Sequence, residues 1–298
     1  MRDFGLKITN ALLPKYAPAL AADPGGRQVD LTILIVALAL AGLAAGFLGG
    51  LFGVGGGLLM VPALVYLFGA LGAAPAARAH LAVGTSLAVV VVTSFRSLGA
   101  HRKSGAVDGQ VLRDWGPWVA LGGAAGAGIA GQVSGAALLG VFGFAAMVLA
   151  VQFAFGDPKW RVGAHLPRGG VRAVLGAGLG ALSALMGIGG GSFGATLLTL
   201  FGRPIHQAVA TASGFGAFIA IPAALGYVWI GWGMAGRAPY SLGYVNLLGF
   251  GLLAVCAMAT APMGARLAHR LDGLMLRRLF AAFLAITALN LLREALAG

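Results

Sequence analysis

Long apolar runs separated by short basic segments set the pattern of the chain. Runs over 31–51, 80–95, 115–133, 136–155, 171–186, 205–230, 242–263 and 279–292 each predict a helix. The longer ones reach the ~20 residues that cross a hydrocarbon core at about 1.5 Å per residue. Two shorter runs, 58–69 and 192–201, would extend only about 18 Å or less as helix, and Pro62 would kink the first. Each of these short runs directly follows a long one, so each pair predicts a hairpin that turns inside the membrane. Backbone can turn at that depth only where it is buried in protein or lines a cavity.

The two turns share a pattern. Gly53-Val-Gly-Gly-Gly57 and Gly187-Ile-Gly-Gly-Gly191 lie 134 positions apart, and Gly42 and Gly46 fall opposite Gly176 and Gly180. Downstream, His80-Leu-Ala-Val-Gly-Thr85-Ser86 falls opposite His206-Gln-Ala-Val-Ala-Thr211-Ala212, with about eight extra residues in the first copy, assigned to 70–77. Such repetition predicts a duplicated membrane unit. Consecutive glycines cost about 1 kcal/mol each inside a plain helix, so the backbone at both places must bend or stay bare.

Composition fits this picture. The chain has 298 residues, 59% hydrophobic and 9% charged, against about 25% charged in soluble domains. A net charge of +12 would point to nucleic acid in a soluble protein, but here the basic residues gather between apolar runs, where topology accounts for them. No nucleic-acid partner is expected; the partners implied are the lipid bilayer and a small ligand. Cys256, the single cysteine, sits in an apolar run and reads as core packing.

Three basic segments follow: Arg96 to Arg113, Lys159 to Arg172, and Arg266 to Arg278. Two helical runs separate the first two segments and four separate the last two, so all three share one side, the cytoplasmic one. The predicted architecture is an all-α polytopic membrane protein of about ten helical segments, in two inverted five-segment repeats. Residues 1–30 form an N-terminal arm with an interfacial helix, 31–156 the first repeat, 157–170 a basic cytoplasmic linker and 171–298 the second repeat. An odd number of segments per repeat inverts the second, and places the arm outside despite its own Arg2, Lys7, Lys15 and Arg27.

A helix that starts after a glycine turn offers unpaired N–H groups and the positive end of its dipole to an anion. Gly55, Gly56 and Gly57, with Gly189, Gly190, Gly191 and Ser192, are therefore the candidate substrate contacts. The hydroxyls of Thr85, Ser86, Thr211 and Ser213 are candidate helpers, although a hydroxyl inside a helix commonly bonds its own i−4 carbonyl. All eight acidic residues fall in expected loops or termini, whereas cation-coupled carriers commonly hold a carboxylate inside the membrane; an anion is the expected substrate. His80 and His206, at matched positions, are candidate gating residues. No metal site, no cofactor and no catalytic constellation is expected. Gly189 to Gly194 satisfies a dinucleotide-type glycine spacing without the strand and acidic residue that would support it.

Gly46-Phe-Leu-Gly-Gly-Leu-Phe-Gly-Val-Gly-Gly-Gly-Leu-Leu-Met-Val-Pro62 with Ala82-Val-Gly-Thr-Ser86 resembles the TauE/SafE sulfite exporter family. Gly187-Ile-Gly-Gly-Gly-Ser192 with Ala208-Val-Ala-Thr-Ala-Ser213 is similar to that family's second repeat. The resemblance spans roughly residues 31–295 and implies a multi-pass transporter of the bacterial inner membrane. Its implied cargo is small sulfur-containing anions such as sulfite or organosulfonates, and its implied direction is export. The halves differ where Pro62 falls opposite Thr196 and Gly84 opposite Ala210. The expected mechanism is alternating access around paired glycine turns. An anion channel using the turns as a filter, or a membrane scaffold without transport, are the other classes weighed.

Overall fold

The computed structural model describes residues 31–52, 56–103, 105–156, 160–234, 238, 240–268 and 273–297. The expected N-terminal arm and Gly55 lie outside these residues. Among the described residues the chain forms ten helices. The first half contains α1 (Leu31–Phe52), α2 (Gly57–Ala70), α3 (Pro75–Lys103), α4 (Gly109–Ala130) and α5 (Gly135–Phe155). The second contains α6 (Gly169–Leu185), α7 (Gly191–Leu200), α8 (Ile205–Ile230), α9 (Leu247–Ala268) and α10 (Gly273–Ala297). A two-stranded antiparallel hairpin, β1 (Ser241–Leu242) and β2 (Val245–Asn246), precedes α9.

Helices α3, α5 and α8, with Leu247–Gly264 of α9 and Arg277–Leu296 of α10, are long and apolar enough to cross a membrane. Their outer faces carry large apolar side chains, including Phe95, Phe144, Val148, Leu225, Val255 and Ile286. Such a surface belongs against lipid rather than water. Small and hydroxylated residues point inward instead, which suits helices that must approach closely without a hydrophobic drive between them.

Packing follows the repeat. α1 lies along α9, and α6 lies along α4, its counterpart under exchange of the halves. Gly42 faces Leu253 and Cys256, and Gly46 and Gly50 face Ala257 and Ala261, so α1 and α9 run parallel. Gly176 faces Trp118 and Gly180 faces Val119 and Gly123, giving the same parallel contact between α6 and α4. A Cβ on Gly42 would stand 2.8 Å from the Cβ of Cys256, which is why this seam needs glycine. The matched helices α3 and α8 pack with opposite directions: Gly84 meets Tyr227, Ser94 meets Gly216 and Leu98 meets Gly214. α5 and α10 are also antiparallel, since Gly140 meets Ala295 while Arg277 donates to the carbonyls of Gln152 and Gly156.

One end of the bundle gathers the basic connections. Arg203 pairs with Asp108 at 3.1 Å and Arg172 with Asp114 at 3.2 Å, drawing the starts of α8 and α6 to the start of α4. Arg277 joins the start of α10 to the end of α5.

Several expected boundaries move. α3 continues through Arg96 to Lys103, so these basic residues ride on the helix. Basic residues in a last turn, here Arg102 and Lys103, complement the helix dipole. Arg113 likewise lies on α4, and Arg277 and Arg278 on α10. The eight extra residues of the first repeat lengthen the two helices that flank the loop. α2 has 14 residues against 10 in α7, and α3 begins five residues before His80 whereas α8 begins one before His206.

Candidate functional site

Each short helix starts from a left-handed glycine. Gly56 has φ 76° and Gly190 φ 65°, and neither α2 nor α7 has a side-chain cap. Any Cβ at these positions would crowd its own carbonyl, so glycine is what lets the chain reverse and begin a helix within two residues. A Cβ on Gly56 would also lie 3.2 Å from the carbonyl oxygen of Ala45, where the turn folds back on α1.

The turns touch each other at the middle of α3. A Cβ on Gly57 would lie 2.6 Å from the oxygen of Gly187 and 3.1 Å from the Cα of Ile188. Ser86 fastens this contact: its hydroxyl donates to the Gly187 oxygen at 2.8 Å and lies 3.5 Å from that of Gly57. Converging carbonyls repel an anion, so this contact joins the turns, and the face of the second turn that offers donors is its amide face.

That face is the start of α7. The first bond back to the turn runs from the Gly194 amide to the Gly190 oxygen at 2.7 Å, leaving the amides of Gly191, Ser192 and Phe193 ahead of it. Gly187 through Gly190 and Ser192 are buried. The Ser192 hydroxyl, and that of Ser183 at the end of α6, find no partner among the described residues. Ser183 points at the turn, 3.4 Å from where a Gly190 Cβ would stand, and the Ser94 hydroxyl lies 3.5 Å from the equivalent point on Gly189. Gly216 is bare beside Ser94 and the Gly189 carbonyl, and Val90, Leu179 and Ile219 supply apolar walls. A buried helix start beside unpartnered hydroxyls presents polar donors that an anion can satisfy.

The other matched hydroxyls are already engaged. Thr85 accepts the amide of Asn246 at 2.9 Å, and Thr211 accepts that of Asp108 at 3.0 Å. Asn246 and Asp108 stand immediately before α9 and α4. Both then cap those helices, Asn246 through Oδ1 to the Gly249 amide and Asp108 through Oδ1 to the Gln110 and Val111 amides. Each half thus locks its third helix to the fourth helix of the other half. Ser213 donates to Ala210 in its own helix.

The two histidines part company. His80 is buried, with Nε2 2.8 Å from the Ala130 oxygen and Nδ1 3.3 Å from that of Ala76, and its ring stacks on Tyr244. His206 is exposed at the start of α8. No metal-ligand cluster occurs among the described residues. Sequence reasoning did not single out Ser183, Ser94 or Asn246. Ser183 is the only polar side chain between Val174 and Met186, a signal the sequence offered; the equivalence of Asn246 with Asp108, each just before a helix and bonded to a matched threonine, shows only in the structure.

A family model described as sulfite exporter TauE/SafE matches residues 38–291. The chain is 31% identical over 260 residues to a Haemophilus influenzae protein named a probable membrane transporter protein, covering 87% of this chain and 98% of that one. It is 25% identical over 272 residues to a Methanocaldococcus jannaschii protein of the same description, covering 89% and 98% respectively. No solved structure matches the chain.

Proposed function

The chain belongs to the sulfite exporter TauE/SafE family and is a multi-pass membrane transporter, and from that premise we propose that its cargo is a small sulfur-containing anion held at the start of α7. Sulfite and organosulfonates are the intended class, and the direction is export across a bacterial inner membrane. The observation that carries this reading is the pair of buried, unpartnered hydroxyls, Ser183 and Ser192, beside an uncapped helix start. An anion there would accept from both hydroxyls and from the leading amides of α7 while the dipole stabilises its charge.

The movement is alternating access between inverted halves. Its support is the antiparallel packing of the matched helices α3 with α8 and α5 with α10, around turns that meet halfway along α3. The end that gathers Arg172, Arg203 and Arg277 is the cytoplasmic one.

A binding panel on the purified protein tests the cargo. Sulfite or a sulfonate should raise the thermal midpoint in a saturable manner, by mass action on the folded state. If no sulfur oxyanion does so, this assignment of the cargo is wrong. Saturable counterflow in proteoliposomes separates a carrier from a channel.

A further inference from the structure

The site described at the start of α7 meets its ligand with dipoles alone. Among the described residues whose burial is given, the buried polar ones are His80, Thr85, Ser86, Ser94, Ser183, Ser192, Thr211, Asn246 and Thr287, with no Lys, Arg, Asp or Glu; Arg172 has its Nε buried, but it lies eleven residues before Ser183 on α6 and its guanidinium pairs with Asp114. His80 is engaged with Ala130 and lies fourteen residues before Ser94 on α3, about 20 Å at the helical rise. Arg96, the basic residue nearest Ser94 in sequence, is exposed. The walls are the apolar Val90, Leu179 and Ile219.

We infer that this site selects singly charged oxyanions, such as hydrogen sulfite and alkanesulfonates, over doubly charged ones such as sulfate. The inference rests on the reading that the anion binds here, and deepens it. The cost of removing an ion from water grows with the square of its charge, so a dianion costs about four times what a monoanion does. The compensation grows only linearly with charge, and a helix end offers about half an elementary charge. Hydroxyl and amide donors add hydrogen bonds without adding countercharge. A monoanion is therefore held, while a dianion stays in water. The apolar walls then suit the carbon substituent of a sulfonate, at a place where the fourth oxygen of sulfate would lack a donor.

Methanesulfonate and sulfate separate the two charge states in nearly the same shape. Ligand-induced stabilisation of the purified protein should be measured with each at equal ionic strength, in slightly acidic and slightly alkaline buffer, with sulfite as a third probe. Methanesulfonate should bind equally at both pH values, and sulfate at least about tenfold more weakly. Sulfite should weaken as pH rises and it loses its second proton. A His80→Gln variant should show the same sulfite profile, because the titration belongs to the ligand. Sulfate binding as tightly as methanesulfonate, with both lost in a Ser183→Ala/Ser192→Ala double variant, would overturn the charge selection while leaving the site in place. Methanesulfonate binding undiminished in that double variant would instead remove the site, and the selection with it.

Discussion

Ser183 and Ser192 carry hydroxyls that are buried and unpartnered, a state worth about 1–3 kcal/mol of lost stability per group. Replacing either by Ala should therefore leave the ligand-free thermal midpoint unchanged or raise it, while weakening sulfite-induced stabilisation by about tenfold or more. A fall in the ligand-free midpoint would show that these hydroxyls have structural partners. Thr85 and Thr211 are the opposite case. Each accepts a helix-starting amide, so Thr85→Val and Thr211→Val should each lower stability by about 1–3 kcal/mol, the former more because the Asn246 amide is the more buried. Their matched positions were legible in the sequence, but what they bond was not. The amides they accept lie 161 and 103 residues away, and a single sequence does not show such pairings.

At the scale of elements, glycine does two different jobs. At Gly56 and Gly190 it permits a left-handed turn. At Gly42, Gly46, Gly176 and Gly180 it lets helices of opposite halves touch. Gly190→Val should abolish substrate binding and destabilise by about 2 kcal/mol or more, since both the positive φ and Ile219 oppose a side chain. Along the α4–α6 seam, Gly180→Ala should destabilise more than Gly176→Ala, read as thermal midpoints in detergent. The added methyl meets backbone of Val119 and Gly123 in the first case, and the Cβ of Trp118 at 3.0 Å in the second. Equal effects would mean that the seam yields easily at either place. The ten helices were legible from apolar run length, and the breaks before the two short helices from the glycines. The helix ends were not, because a run of apolar residues stops at the first Arg whereas the hydrogen-bonded helix does not. α3 shows this most plainly, running on past Arg96 to Lys103.

For the whole molecule, the proposed inversion of the halves makes a claim about sides. Tags beside Asp108, His165 and Asp272 should report the cytoplasm, and a tag beside Asp23 the periplasm. The ion pairs of Arg203 and Arg172 with Asp108 and Asp114 bring two of the basic connections to one end, as this requires. A cytoplasmic residue 23 with the other three unchanged would contradict inversion. The repeat of the glycine pattern was readable in the sequence. Its asymmetry was readable only in part: Ser183 and Ser192 fall opposite Gly49 and Leu58, so the orphan hydroxyls gather at the second turn alone. We therefore propose that the second turn holds the anion while the first, joined to it through Ser86, braces it.

Counterflow of labelled sulfite in proteoliposomes, comparing the wild-type protein with the Ser183→Ala/Ser192→Ala double variant, decides whether these two hydroxyls hold the transported anion. The wild type should show saturable counterflow. The double variant should show little or none at the same sulfite concentration, although it inserts and melts normally. Undiminished counterflow in the double variant would place the anion elsewhere and contradict the account.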